Sequence, residues 1–405
     1  MLLLIKIAFK HIWSTHKFNF INFSSILSII GLIIGISSLI IISSISEGFN
    51  DNVNLKLSAI DGHLRINNIY SNSFNSLEVN KIFNSISIYD SLIKYKTKYI
   101  EQHAILRTGD NSSGVIIYGI PSNALDDIFN INMFNRKNNI FKNENSIFIG
   151  EKLAKKLDIS IGEELVLFNP SDIIKNNIFK ARKVVVDNIF NTDFPEYDLI
   201  LAFMPLSTVN NYFDYNNLIS GIIININNQS DLVDLNYLIN KKIENTQYMS
   251  TTWRERHFGI LNWLNIYDMP IKIIMFFITS IAIFNIGATL WMIIIDKSRE
   301  YGLLKAFGLD NKQILLIIVF QGAIIGFFGA ILSIVFSFII LYTEYTYHFI
   351  KLSSDIYFTE NLPINILPKY FIIYPTVSIL LTILLSYIPA RRALSINPSE
   401  LLLYE

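Results

Sequence analysis

The sequence predicts an α-helical membrane protein with four transmembrane helices and an inserted α+β extracytoplasmic domain. Four windows contain no charged residue: 20–45, 273–295, 313–343 and 370–390. Each window is at least as long as the roughly 20 helical residues that cross a bilayer core. Between the first two windows, residues 46–269 carry most of the charges and alternate short strand patterns with helix patterns. A segment of that length can bury a core of its own.

The composition excludes several classes of protein. Only 16% of the 405 residues are charged, against about 25% in an average soluble domain, which argues against a soluble enzyme. Lys and Arg total 33, and Asp and Glu also total 33, so no basic excess favours nucleic-acid binding. The chain has no Cys, which rules out disulfides, iron–sulfur clusters and thiol catalysis.

The positions of Lys and Arg in the short connecting segments predict the orientation. Residues 1–19 carry three Lys, the loop 296–312 carries four basic residues, and the tail 391–405 carries two. Four spans place these three segments on one side, so we expect both termini in the cytoplasm and residues 46–269 outside. The apolar window 20–45 exceeds the roughly 7–15 residues of a signal peptide's apolar region, so we expect it to remain as an anchor.

The predicted organisation follows from these windows. It comprises a cytoplasmic amphipathic helix at 1–19, spans at 20–45, 270–295, 313–343 and 370–390, the extracytoplasmic domain at 46–269, a cytoplasmic loop at 296–312, an extracytoplasmic loop at 344–369 and a cytoplasmic tail at 391–405. The first segment sets apolar side chains beside Lys, which is typical of a helix on the inner leaflet; a simple extension of the first span is the alternative. No flexible linker separates the domain from its spans, which favours a rigid junction over a tethered receptor domain.

The inserted domain is predicted from short segments of two kinds. Strands are indicated where β-branched and aromatic residues concentrate, and helices where apolar residues recur every three or four positions. The predicted strands are 63–70, 114–120, 146–150, 164–169, 183–190, 198–204 and 221–227, and the predicted helices are 150–159 and 231–245.

Small residues recur along one face of two predicted spans, three or four positions apart. They are Ser28, Gly31, Gly35 and Ser38 in the first span and Gly322, Gly326 and Gly329 in the third. Small side chains let helices approach closely in lipid, where van der Waals contact drives association. The pattern predicts either packing within the chain, or a dimer seam or a mobile interface.

The second span carries a polar residue, Asn285, near its middle. Hydrocarbon offers an amide no hydrogen-bond partner, so we expect Asn285 to face another helix. A structural role is favoured over a place on a transport path. The four windows hold no ionisable residue, which argues against a proton- or sodium-coupled carrier and against a channel with a charged ring.

No catalytic or metal site is predicted. The sequence has neither a G-x-x-x-x-G-K-[ST] nucleotide loop nor an H-E-x-x-H metal motif. Its six His are scattered, and carboxylate pairs such as Glu163 and Glu164 are adjacent in sequence, so their side chains diverge. Any work that this protein does must therefore draw its energy from a partner.

The cytoplasmic loop is the most informative short segment. The pattern predicts a helix over 298–307, ended by Gly308 in the left-handed conformation. Asp310 and Gln313 then have the spacing of a capping box for the third span. The helix sets apolar side chains beside charged ones; they are Tyr301, Leu303, Leu304 and Phe307, with Arg299, Glu300 and Lys305. Such a helix suits a groove on a soluble partner, and a connector on the membrane surface is the alternative.

Several segments resemble one family of membrane proteins. They are "FINFSSILSIIGLIIGISSLIIISSISEGF", "SIFIGEKLAKKLDISIGEELVLF", "YGIPSN", "FNIGATLWMIIIDKSREYGLLKAFGLDNKQILLIIVF" and "PARRAL…NPSELL". Over nearly its whole length the chain resembles the FtsX/MacB-like (type VII) ABC transporter permeases. Within them, it resembles the lipoprotein-releasing LolC/LolE family.

The resemblance implies a non-catalytic permease subunit in the bacterial inner membrane, with a periplasmic domain. The subunit would form a homo- or heterodimer with a second permease subunit and would bind a cytoplasmic ABC ATPase dimer. That ATPase would hold the ATP and Mg²⁺, and this chain would bind no cofactor directly. The helix in the cytoplasmic loop, with Gly308, would dock on the ATPase, whose closure would move the spans and the periplasmic domain together. Lipoprotein cargo would enter from the membrane lipid between the first two spans and pass to a periplasmic lipoprotein carrier.

The resemblance also implies a periplasmic hairpin that docks the carrier. Its matching residues here are Pro170, Lys175, Phe179 and Arg182. Two alternatives within the superfamily stay open. One is a MacB-like exporter subunit that works with an adaptor, and the other is an FtsX-like regulator of a cell-wall hydrolase.

Overall fold

The computed structural model describes residues 2–12, 20–71, 74–122, 124–128, 141–170, 181–216, 218–353, 357 and 359–393. The chain divides into two compact units. The helical unit comprises Met1–Asn50, Leu264–Lys351 and Asn361–Glu405, and the sheet unit comprises Asp51–Trp263 and Leu352–Glu360. The sheet unit therefore differs from the predicted domain at both ends and adds a short piece of the loop 344–369.

The helices are α1 (Leu2–Ile12), α2 (Phe20–Asp61), α3 (Ser76–Ile86), α4 (Leu125–Ile128), α5 (Glu151–Leu157), α6 (Pro195–Ile200), α7 (Leu206–Tyr212), α8 (Leu232–Ile243), α9 (Trp253–Arg256), α10 (Phe258–Asp296), α11 (Ser298–Ala306), α12 (Asn311–Tyr347) and α13 (Pro368–Ala393). In the part of the chain that the structure describes, four helices are long and apolar enough to cross a membrane. These are α2, α10, α12 and α13, and each contains one predicted span.

The helix of the first span continues well past the predicted window, to Asp61. Its helical periodicity persists after the uncharged stretch has ended. Val53, Leu57 and Ile60 are four and three positions apart, and all three are buried. An apolar stripe at this spacing lies on one helix face, whereas a window defined by the absence of charge stops before Glu47.

Two clusters of buried apolar side chains organise the helical unit. The first includes Leu4 and Ala8 of α1, Tyr301 of α11, and Ile314 and Ile317 of α12. Leu4 and Ala8 are one helical turn apart, so the predicted amphipathic helix presents its apolar side to the chain's own core. Residues 13–19 of that prediction lie outside the described residues. The second cluster joins α2, α10 and α12, and includes Leu32, Ile36, Ile286, Leu290 and Ile325.

The strands are β1 (Leu64–Asn68), β2 (Phe74–Asn75), β3 (Ile93–Thr108), β4 (Asn111–Ile120), β5 (Ser146–Gly150), β6 (Glu164–Phe168), β7 (Ala181–Phe190), β8 (Leu201–Pro205), β9 (Leu218–Ile219), β10 (Gly221–Ile226) and β11 (Tyr248–Thr252). Nine of them form one sheet in the order β11-β1-β10-β3-β4-β8-β5-β7-β6, and β2 pairs with β9. β6 also pairs with β3, at Leu106↔Leu167. The six strands β3-β4-β8-β5-β7-β6 therefore close into a barrel, because the first pairs with the last.

One predicted strand is wrong in its first half. Residues 198–204 were predicted as a strand, but the chain is helical over Pro195–Ile200 and becomes a strand only at Leu201. Pro195 stands in the first helical turn, with Glu196 and Asp198 as acidic residues. Proline and acidic side chains both favour a helix start, and this local signal outweighs the β-branched and apolar residues that follow.

The longest strand, β3, is absent from the predicted set. Its first half alternates Lys94, Lys96 and Lys98 with side chains that face inward. Thr97 and Tyr99 are buried on the inner side. This half-buried strand alternates with period two but lacks the apolar enrichment by which the other strands were predicted.

Candidate functional site: an apolar cavity and a loop helix

An apolar cavity of about 380 Å³ lies among three of the spanning helices of the helical unit. Its walls include Leu32 and Leu39 of α2, Phe276 and Ile283 of α10, and Val377 and Leu381 of α13. Phe276 is 67% exposed, so the cavity opens to the surroundings of the helices. Apolar pockets of this size are typical of small-molecule and lipid sites.

The polar groups in the cavity wall mostly have partners. Tyr374 Oη and Ser43 Oγ share a hydrogen bond of 2.6 Å, and Thr279 Oγ1 donates to the Met275 carbonyl at 2.8 Å. Lys272 is the one charged residue among the sixteen that line the cavity. The cavity therefore offers mainly hydrocarbon contacts, which suits an aliphatic ligand.

The small-residue face predicted in the first span packs against the second span of the same chain. A Cβ on Gly31 would lie 1.9 Å from Asn285 Nδ2, and one on Gly35 would lie 3.1 Å from Ala282 Cβ. Asn285 thus faces another helix, as predicted. Ser28 is buried and Ser38 is half-buried.

The glycines of the third span are also in contact within the chain. The nearest atoms to a Cβ on Gly322 and on Gly326 belong to α13, and the nearest to one on Gly329 belong to Leu32 of α2. Close approach of helices through small residues is the usual packing mode in lipid. Of the two predicted alternatives, packing within the chain is the one that these contacts support.

The loop helix forms as the sequence predicted. α11 runs over Ser298–Ala306, and Phe307 is its C-cap. Gly308 follows with φ of 92°, a left-handed conformation that glycine adopts without strain. Asp310 and Gln313 form the predicted capping box at the start of α12.

The two sides of α11 have different environments. Tyr301 is only 5% exposed, and its hydroxyl donates to Gln321 Oε1 of α12 at 3.0 Å. Burial raises the pKa of Tyr301 above its ordinary value. Leu304 packs against the same core cluster. Tyr301 was predicted to contribute to a partner-docking surface; this assignment is wrong, because the side chain is inserted against α12 and anchors the helix there.

The opposite side of α11 is open. Phe307 is 82% exposed and Leu303 is 41% exposed, and Arg299 is exposed as well. These three residues are spaced by four, so they lie along one face, which we call the docking face. Glu300 and Lys305 flank it, and Glu300 is bonded to Lys297. A large exposed aromatic residue beside a cation is typical of a surface that a partner covers.

The hairpin predicted for carrier docking is present at its base. β6 pairs with β7 in antiparallel register, with Phe168 opposite Ala181. Arg182 Nε and Nη2 both donate to Asn145 Oδ1, at 3.2 and 2.6 Å, so its guanidinium is held at the base. Pro170 is the last described residue before the tip. Lys175 and Phe179 lie outside the described residues.

Sequence reasoning missed a buried ionic cluster in the sheet unit. Asp61 Oδ2 lies 2.5 Å from Arg256 Nε and 3.0 Å from His257 Nε2, and Asp61 Oδ1 is paired with Arg65. The Arg65 guanidinium lies over the rings of Tyr99 and Tyr118, at 4.8 and 4.9 Å from their centroids. Only the spacing of Asp61 and Arg65, four apart, could have indicated a pair; the other two partners, Arg256 and His257, are distant in sequence.

Comparison with known families decides the assignment of the chain. The family model described as "MacB-like periplasmic core domain" matches residues 25–240, which is more than half of the chain, and "FtsX-like permease C-terminal" matches 272–398. The chain is an FtsX-like permease with a MacB-like periplasmic core domain. It is thus an ABC transporter permease of the inner membrane, and membership of this family implies an ATPase partner and a second permease subunit.

Relatives of this permease cover its whole length. It is 28% identical over 408 residues to the lipoprotein-releasing system transmembrane protein LolC of Buchnera aphidicola subsp. Acyrthosiphon pisum, with 98% of this chain and 97% of that protein covered. It is 22% identical over 390 residues to LolE of Haemophilus influenzae, with 93% of each covered. The periplasmic region of MacB from Actinobacillus actinomycetemcomitans is a similar solved structure, with a TM-score of 0.33 and 15% identity, covering 49% of this chain and 92% of that chain.

Proposed function

We propose that this permease extracts acylated lipoproteins from the inner membrane and passes them to a periplasmic carrier, using ATP hydrolysed by a separate ATPase. The observation that carries the proposal is the open apolar cavity among α2, α10 and α13. Its walls match the chemistry of an acyl chain, and Phe276 at its mouth is accessible from the surroundings of the helices. The names of the relatives LolC and LolE point to the same cargo.

The energetics of acyl chains explain why such a protein needs an ATPase. Burying an acyl chain in a membrane is worth about 0.8 kcal/mol per CH₂ group, so removing several chains is strongly unfavourable. An apolar cavity lowers this cost because it replaces lipid contacts with protein contacts. The remaining cost must come from nucleotide hydrolysis, and the sequence has no nucleotide-binding loop motif.

The docking face of α11 supports the ATPase contact. Phe307 and Leu303 are large apolar side chains exposed on a short helix that Tyr301 fixes to α12. A helix held in this way can transmit movement of the ATPase to α12, since α11 could move relative to α12 only if the Tyr301 hydrogen bond and the core contacts broke. ATPase closure would thereby move α12 and the helices packed against it.

The hairpin formed by β6 and β7 is the segment we assign to carrier docking. At its base β6 pairs with β7, and Arg182 donates to Asn145 Oδ1. Residues 171–180 between the two strands lie outside the described residues.

A reconstituted release assay tests the proposal. The permease is placed in lipid vesicles with its ATPase, second permease subunit, carrier and a fluorescent triacylated lipoprotein, and soluble lipoprotein is measured after ATP addition. Ile283→Trp fills the cavity and should abolish release while ATP hydrolysis continues. Phe284→Trp is the matched control, because residue 284 is 78% exposed and does not line the cavity; release should persist.

Two outcomes would contradict the proposal. Equal release by the two variants would show that the cavity does not carry the cargo. If the assembled complex releases no lipoprotein, the function is different: ATP-driven export of a soluble polypeptide would favour an adaptor-dependent exporter, and activation of a cell-wall hydrolase would favour a regulator.

A further inference from the structure

The single charge of the cavity stands at one end of its longest wall. Lys272 and Ile286 are the first and last lining residues on α10. At about 1.5 Å per residue, the wall between them is roughly 21 Å long, about two-thirds of a hydrocarbon core of ~30 Å. A long apolar wall with a cation at one end has the shape and polarity of a template for an amphiphile with a negatively charged head.

Lys272 is exposed, and no salt bridge joins it to a carboxylate of the described residues. The nearest carboxylate in sequence, Asp268, lies about one helical turn earlier on α10. Two lysines near the ends of other spanning helices are paired: Lys369 Nζ is 2.8 Å from Glu47 Oε1, and Lys297 is paired with Glu300. The ammonium group of Lys272, at the edge of the cavity, can therefore donate hydrogen bonds to an anion.

We propose that the cavity binds an anionic phospholipid, with the headgroup phosphate on Lys272 Nζ and one acyl chain along α10 toward Ile286. The phosphate supplies the missing counter-charge, and the chain covers the apolar wall. A free inorganic anion would leave that wall uncovered, and an uncharged lipid would leave the cation without a partner. This site goes beyond the proposed function, since it does not depend on which cargo the permease moves.

One consequence does rest on the proposed function. If lipoprotein acyl chains use the same cavity, the bound phospholipid must leave before cargo enters. The phospholipid then competes with cargo for the cavity.

Native mass spectrometry of the full-length permease, purified in detergent and mixed with lipids of equal chain length, tests the site. The probes are phosphatidylglycerol, with a net negative headgroup, and phosphatidylcholine, with none. Wild type should retain phosphatidylglycerol in preference to phosphatidylcholine. Lys272→Met should weaken its retention about five-fold, the factor that corresponds to about 1 kcal/mol for one cation near a lipid surface. Lys272→Arg should restore it.

Lys351→Met is the matched control, because that lysine is exposed in the same unit and does not line the cavity. It should leave the preference unchanged. Excess inorganic phosphate should not displace the lipid; if it does, the site binds phosphate alone. Equal retention of the two lipids by wild type, or unaltered retention in Lys272→Met, would overturn the proposal. Because lipoprotein release in Ile283→Trp is read separately, failure of the lipid site and failure of the proposed function are distinguishable.

Discussion

Asp61→Asn should destabilise the sheet unit by about 3 kcal/mol, because it removes the carboxylate that pairs with both the buried Arg65 and the half-buried Arg256. The side chains of Asp61 and Arg65 are 9% and 5% exposed, and that of Arg256 is 21% exposed. Removing one partner of a buried pair costs about 3–5 kcal/mol. Glu101 lies 3.4 Å from Arg65 and would compensate in part, so we expect a cost of about 3 kcal/mol.

Asp90→Asn, the same substitution at an exposed site, is the control for the loss of stability in Asp61→Asn. Asp90→Asn removes a carboxylate that pairs with Lys96, but the Asp90 side chain is 56% exposed. Exposed pairs contribute about 0–1 kcal/mol. In a unit of this size 1 kcal/mol shifts the midpoint by about 2–4 °C, so Asp61→Asn should lower it by roughly 6–12 °C and Asp90→Asn by at most a few degrees.

The assay is thermal unfolding of the full-length permease in detergent, together with amide hydrogen exchange. Exchange should accelerate in β1 and β10, the strands adjacent to the cluster, and not in α12 or α13. If the two variants had equal midpoints, or if exchange rose equally in both units, the buried cluster would not hold the sheet unit together and the reasoning would be refuted.

Three further substitutions test particular contacts. Burial raises the pKa of Asp198 to about 6, so the folded state binds the proton more tightly, and the free energy of unfolding falls as the pH rises from about 4 to about 6. Asp198→Asn should remove this loss. Its stability relative to wild type should be about 2 kcal/mol better at pH 7.5 than at pH 4.5 in thermal unfolding; a difference independent of pH would contradict this. A Cβ on Gly150 would lie 2.3 Å from the Asp198 carbonyl oxygen, so Gly150→Ala should lower the free energy of unfolding by about 1–3 kcal/mol. Gly114→Ala is the control and should be nearly neutral, because no atom lies within 4 Å of its Cβ. Equal thermal midpoints for the two variants would show that the backbone yields at Gly150. Tyr301→Phe leaves buried Gln321 without its hydrogen-bond donor, which should lower the free energy of unfolding by about 1–3 kcal/mol. It should also weaken co-purification with the ATPase several-fold. Unchanged co-purification would show that this hydrogen bond does not position α11.

The ATPase contact has its own pair of variants. Phe307→Asp places a charge in the exposed centre of the docking face and should abolish co-purification with the ATPase. Phe9→Asp makes the same change on α1, where the ring is 46% exposed, and should leave co-purification intact. Loss in both variants would indicate a general effect of the added charge, and loss in neither would remove the docking assignment.

Local signals in the sequence were sufficient where one short segment determines the structure. The loop helix, its left-handed Gly308 and the capping box of Asp310 and Gln313 depend on residues within a few positions of one another, and all were predicted. The same holds for the strands β4, β5 and β10, each a compact run of β-branched residues. Asn285 was correctly expected to face a helix because hydrocarbon leaves an amide no other choice.

The sequence was insufficient where partners come from distant segments. Arg256 meets Asp61 and Arg65 only because β1 and β11 are neighbours in the sheet. The side chain of Tyr301 points inward because its hydroxyl bonds Gln321. The two residues are 20 positions apart, and they meet only after α11 and α12 have folded against each other. β3 was not predicted because it is buried on one side only. Its outward-facing lysines dilute the β-branched and aromatic residues by which strands were predicted. An apolar cavity was expected from the resemblance, but the residues that line it could not be inferred, since three helices separated in sequence form its walls.

ATP hydrolysis by a partner should move acylated cargo through this permease. The decisive measurement follows ATP turnover and release of a triacylated lipoprotein in the same vesicles, with and without the ATPase. We predict release only when ATPase, ATP and carrier are all present, with release lost and hydrolysis retained in Ile283→Trp. Release without the ATPase, or ATP turnover by this chain alone, would contradict the account.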